Sequence, residues 1–127
     1  MTRLSEKCPT EYEEQIKLAE YLDMKNYCWC HVPNGGNRNA VTGAKMKKQG
    51  VKKGFPDVQI FDVPREFDGV PGKLIRGIVI ELKIKKGGRV RESQDKWLQE
   101  LAARNWLTNV CHGADEAIDW LEKIFRK

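Results

Sequence analysis

Three residues could do chemistry together: Asp57, directly after Pro56, and Glu81 and Lys83, which flank Leu82 after 24 residues. In a strand, side chains two apart share a face, so Glu81 and Lys83 stand side by side while Leu82 turns to the opposite face, into the core. Asp57 opens another apolar stretch, Val58 to Phe61, that can pair with the first. Two carboxylates would then meet across the pair. Oxygen donors of this kind suit a hard divalent cation, Mg²⁺ or Mn²⁺, with the main-chain carbonyl of Leu82 as a further ligand. Such a cation acidifies water and polarises a phosphate, and Lys83 can orient the attacking water or, as the neutral amine, accept its proton, or as the ammonium steady developing charge. Those are the parts that phosphodiester hydrolysis needs. Glu-x-Lys by itself is equally an exposed salt bridge. Its weight here comes from Gly54-Phe55-Pro56-Asp57 before it, an apolar run leading into Glu81, and the basic, glycine-rich turn after Lys83.

Those residues need a scaffold. Periodicity and end signals predict a helix over 10–25, with Thr10 as cap and Glu11, Glu13 and Glu14 at its positive end. Its apolar stripe is Tyr12, Ile16, Ala19 and Leu22, widened by Leu18, and Asn26 ends it. Strands are expected over 27–32, 57–61, 74–84 and 106–111, with 74–84 the β-branched central one. A short basic helix is expected over 40–49 and a helix from a Ser93 cap to about Arg104, ended by Asn105. A last helix follows over 114–126, with Ala117, Ile118, Leu121 and Phe125 on one face, while 33–37 and 62–73 read as loops. Strands mixed with helices on both sides of one sheet give an α/β or α+β sandwich.

The chain's 127 residues fit one domain, 1–127, with one core. No apolar run reaches the roughly 20 residues of a membrane span, and the N-terminus has no secretory signal core, so a cytoplasmic location is expected. The net charge of +5 suits a polyanionic partner, and its distribution says more. Lys45, Lys47, Lys48, Lys52 and Lys53 form one block without acids; Lys83, Lys85, Lys86, Arg89 and Arg91 form another. Apart from Lys83 these are candidate phosphate contacts, which position a duplex without reading its bases. Cys28-Trp29-Cys30 lacks zinc-knuckle spacing and reads as core filler, His31 as a hydrogen-bonded strand residue, and the four tryptophans as core rather than base-stacking residues.

Taken together, Gly54-Phe55-Pro56-Asp57, Glu81-Leu82-Lys83, Ser93-Gln94 opening a helix, Glu11-Tyr12-Glu13-Glu14-Gln15 and Asn34-Gly35-Gly36 resemble the virus-type replication–repair nuclease (VRR-NUC) family of the PD-(D/E)XK nucleases. The likeness runs from about Glu11 to Leu121. It implies a restriction-endonuclease-like core, a central mixed sheet flanked by helices, and a metal-dependent endonuclease acting on double-stranded DNA. By similarity to stand-alone members, the substrate is branched DNA, the form a homodimer, and the setting replication or repair in a phage-infected or bacterial cell. The likeness also places one acid of the first helix near the metal and Gln94 beside Lys83; helical spacing, which sets Glu11 on one side with Gln15, Leu18 and Leu22, favours Glu11, with Glu14 second. Phe61 to Val70 or the last helix are the surfaces expected to supply a dimer contact. Competing readings are a DNA-binding module without catalysis, a sequence-specific restriction-type enzyme, and a basic adaptor for RNA or protein.

Overall fold

In a computed structural model of the chain, residues 8–33, 39–64 and 74–126 are described. The elements are α1 (Glu11–Met24), β1 (Trp29–His31), α2 (Ala40–Lys48), β2 (Val58–Ile60), β3 (Gly77–Lys83), α3 (Glu92–Ala103), β4 (Trp106–His112) and α4 (Ala114–Ile124). The strands form one mixed sheet in the order β1-β2-β3-β4. β1 with β2 and β2 with β3 are antiparallel; β3 with β4 is parallel, with α3 in the crossover. Among the described residues no helix is long and apolar enough to cross a membrane.

The two faces of β3 divide the molecule. Ile78, Ile80 and Leu82 join Val58 and Ile60 of β2, Leu18 and Leu22 of α1, and Ala117 and Leu121 of α4 in the core. Val79, Glu81 and Lys83 alternate with them onto the other face, where Gln94 of α3 meets the last two. Every residue of β3 is buried, so its charged pair is enclosed at the end of an apolar strand.

Local chemistry explains the helix ends. Thr10 caps α1 through a reciprocal box: Glu13 N–H donates to Thr10 Oγ1 at 3.1 Å, and Thr10 N–H to Glu13 Oε1 at 2.9 Å. Asn26 and Asn105 stop α1 and α3 in the left-handed region, at φ 60° and 68°.

Several expectations are corrected. Tyr12 and Ile16 are exposed, and α1 instead buries Glu14, Leu18 and Leu22, a strict four-residue step. Glu14 takes the position because the backbone of α4 receives it, as described below. Cys28 and Cys30 are exposed rather than core filler, since β1 is an edge strand with that face uncovered. Ser93 does not cap α3: Arg91 is the N-cap residue, and its N–H donates to the Gln94 side chain three residues on. The strands are shorter than expected at β1, β2 and β3, while β4 gains His112 through pairing with Lys83. α4 turns Ala117 and Leu121 into the core, with Ile118 and Phe125 packed against it, so its apolar face is not a free contact surface. Asn34-Gly35-Gly36 and most of the 62–73 loop lie outside the described residues, as does most of the Phe61 to Val70 segment; Phe61 itself is exposed and rests edge-on against Trp106.

Candidate active site

Asp57 immediately precedes β2. Extending the Val58↔Ile80 register by one residue sets it opposite Glu81, on the same face of the sheet. Its Oδ2 accepts the Leu82 N–H at 2.7 Å, which fixes the carboxylate at the end of β3. The carbonyl oxygen of Asp57 accepts the Val32 N–H and lies 2.8 Å from His31 Nδ1, so β1 braces the residue from the other side. His31 is thus a hydrogen-bonded strand residue, as its sequence position suggested.

Glu81 and Lys83 are both buried, with Lys83 Nζ 3.4 Å from Glu81 Oε2. Gln94 links them. Its Oε1 accepts from Lys83 Nζ and from the Arg91 N–H, each at 2.8 Å, and its Nε2 donates to Glu81 Oε2 at 3.0 Å. Two donors meeting at Oε1 fix which end of the amide faces which partner. Glu81 Oε1 is buried and has no hydrogen-bond partner among the described residues. Burial, then the neighbouring Asp57 charge, push the Glu81 carboxyl up to about 8, against the weaker opposing pull of Lys83.

The motif glycine has a steric purpose. Gly54 sits at φ +86°, and a Cβ there would lie 2.7 Å from the Ser93 carbonyl carbon. The absent side chain lets the start of α3 close onto the Gly54-Phe55-Pro56 turn, and Trp97 seals that contact edge-on to Phe55 with its Nε1–H donating to Lys53 O at 3.1 Å. Gln94 reaches Glu81 and Lys83 from there.

Asp57, Glu81, Lys83 and Gln94 line one cleft of about 610 Å³, with Glu11 and Arg91 on its walls. The two candidate helix acids therefore separate. Glu11 is exposed and faces the cleft. Glu14 is buried and accepts the Ala114 N–H at 3.1 Å, filling the cap position that Gly113 cannot serve. Among the described residues no three His, Cys, Asp or Glu side chains cluster as a preformed metal site, so Glu11 stands apart from the Asp57–Glu81 pair.

The basic candidates also separate. Lys53 and Arg91 line the cleft, while Lys47, Lys52 and Lys53 line a second groove between α2 and α3. Lys85 faces Asp115 at 3.6 Å, and Lys45, Lys48, Lys86 and Arg89 are exposed away from both hollows. Block counting missed Lys96 and Arg104, which sit among acids in the sequence. Helical spacing could have found them: Ser93, Lys96, Trp97, Glu100, Leu101 and Arg104 share one face of α3 at steps of three and four.

A mixed four-stranded sheet with an Asp and a Glu-x-Lys pair at adjoining strand ends is the arrangement expected of a PD-(D/E)XK-type nuclease core. The VRR-NUC domain model matches residues 9–115, and the chain belongs to that family. A solved structure, a VRR_NUC domain protein, is 23% identical to the chain with a TM-score of 0.74, covering 94% of this chain and 91% of its own. That likeness confirms the fold. Comparison with curated proteins gives no match. Membership implies nuclease activity of the PD-(D/E)XK type on DNA, in a family that is generally dependent on divalent metals.

Proposed function

We propose that the chain is a divalent-metal-dependent endonuclease hydrolysing DNA phosphodiester bonds, with Asp57, Glu81 and the Leu82 carbonyl holding Mg²⁺ or Mn²⁺. The observation that carries this reading is Glu81 Oε1, a buried carboxylate oxygen with no donor, facing a second carboxylate across the strands. An unsatisfied buried acceptor costs on the order of 1–3 kcal/mol, and a cation between the two acids would remove that cost together with their repulsion.

The donor set fits a hard cation. Asp57 and Glu81 supply oxygens only. The Leu82 N–H points at Asp57, and N–H and C=O of one strand residue face the same way, so the Leu82 carbonyl is turned to that edge. The Lys83 carbonyl faces the opposite edge, where it accepts the Gly113 N–H at 2.8 Å. Once bound, a divalent cation would supply positive charge for the scissile phosphate and a more acidic water.

The protein's own groups do the rest. Lys83 holds an ammonium at the floor of the cleft, able to orient water or to stabilise charge on phosphate oxygens. Gln94 holds that ammonium in place and is a positioning residue. Glu11, on the cleft wall, offers a further carboxylate to the site. The exposed lysines and arginines place a duplex through its phosphates. In its finer form the proposal includes branched DNA as substrate, a homodimer that sets two sites against two strands, and a replication or repair setting in phage-infected or bacterial cytoplasm.

The test incubates the protein with linear, flapped and four-way DNA in Mn²⁺, Mg²⁺ or EDTA. Metal-dependent cutting abolished by Lys83→Ala, with DNA binding retained, is the expected result. Binding without cleavage of any substrate in either metal would leave a DNA-binding module instead. Light scattering tests the homodimer, which a monomer at high protein concentration excludes.

A further inference from the structure

The second groove is larger than the cleft, about 960 Å³, and is differently made. Met46, Val51, Trp97 and Leu101 give it an apolar floor. Lys47, Lys52, Lys53, Lys96 and Arg104 line it with five positive charges against the single acid Glu100, a balance of +4, and Glu100 is already paired with Arg104 at 2.9 Å. None of the four lysines is in an ion pair among the described residues. α2, which forms one wall, buries no residue of its own. Lys53, Ser93 and Lys96 line both hollows, so the groove runs directly into the cleft that holds Asp57 and Glu81.

An apolar floor with a basic rim does not match the outside of a duplex, which presents phosphates and polar base edges. It matches an unpaired strand, whose bases offer apolar faces while its phosphates reach the rim. From this we infer that the α2–α3 groove binds a single-stranded DNA segment continuous with the strand at the cleft, so that the preferred substrate carries an unpaired tail beside the scissile phosphate. This rests on the nuclease reading for its link to cleavage, but not for strand binding. The bases lie over Met46, Val51 and the open side of Trp97, which is half-buried and held by Phe55 and the Lys53 carbonyl. Trp97 therefore serves as both support and floor, where the sequence suggested core alone.

The experiment has two arms. Fluorescence anisotropy in EDTA follows binding of a labelled single-stranded oligonucleotide to the wild type, Met46→Asp and Arg104→Glu, each checked by thermal melting. Cleavage of a tailed duplex is then compared with that of a blunt duplex in Mn²⁺. Expected are loss of oligonucleotide affinity by about tenfold in either variant and a matching fall in the ratio of tailed to blunt cleavage. Met46 lies on a helix that buries nothing, so its variant should keep the wild-type melting temperature; if it does not, Arg104→Glu decides. Variants that melt normally and bind the oligonucleotide like the wild type would overturn the inference, as would equal cleavage of tailed and blunt DNA. Strand binding lost in the variants, with no cleavage by the wild type, would support the groove and sink the nuclease reading alone.

Discussion

At the residue scale, the site is built at the expense of stability. Glu81 is buried opposite Asp57, and its carboxyl is raised from 4.5 to about 8, so the fold favours the protonated form. A group shifted this way contributes stability fully below its unfolded pKa and loses it as pH rises through the folded one. Metal-free protein should therefore lose melting temperature between pH 4.5 and about 8, and the gain from added Mn²⁺ should grow across the same interval as the cation displaces the proton. Melts at several pH values, with and without EDTA, measure both trends; a metal-induced gain that is flat with pH would contradict them. Glu81→Gln removes the charge while keeping the shape. It should abolish cleavage yet stabilise the metal-free protein by on the order of 2 kcal/mol at a pH above about 8. Gln94→Ala should lower kcat by about 10- to 100-fold with little change in KM, because it frees Lys83 without removing it.

At the element scale, the contact between the Gly54 turn and α3 sets the distance from Gln94 to Lys83. Gly54→Ala meets a left-handed φ and the Ser93 backbone at once, so it should cost about 2–3 kcal/mol and displace α3; the drop in melting temperature and the loss of activity should appear together. The two acids of α1 should divide oppositely. Glu14→Ala removes the acceptor at the start of α4 and should destabilise by about 1–2 kcal/mol, whereas Glu11→Ala, exposed at the cleft, should reduce activity and leave melting unchanged. That division marks how far the sequence could be read. Strand alternation places Glu81 and Lys83 on one face and Leu82 on the other, and asparagines mark the ends of α1 and α3, because both are local rules. Glu14 and the cysteines defeat the same reasoning. Glu14 is buried by a helix end a hundred residues away, and Cys28 and Cys30 are exposed because nothing covers that face of an edge strand. The groove was legible only on one side: Lys47, Lys52 and Lys53 stand in an acid-free block, whereas Lys96 and Arg104, on and just after α3, are masked by intervening acids.

At the scale of the whole molecule, charge decides how DNA is held. Lys47, Lys52, Lys53, Arg91, Lys96 and Arg104 line the cleft or the groove, while compensated pairs such as Lys25 with Glu122 and Lys17 with Asp115 lie outside both. A phosphate contact releases counterions, so each one steepens the fall of duplex affinity with salt by about 0.9 in the log–log slope. Lys53 lines both hollows and has no ion pair among the described residues, so Lys53→Ala should weaken duplex binding and flatten that slope by about 1. Lys25 already pairs with Glu122 on α4, so Lys25→Ala should leave the slope as it is. Titrations of blunt duplex in EDTA at several salt concentrations make the comparison. Equal slopes for the two variants would mean that the basic residues at the site are merely solvated, and that the duplex is held by some other surface.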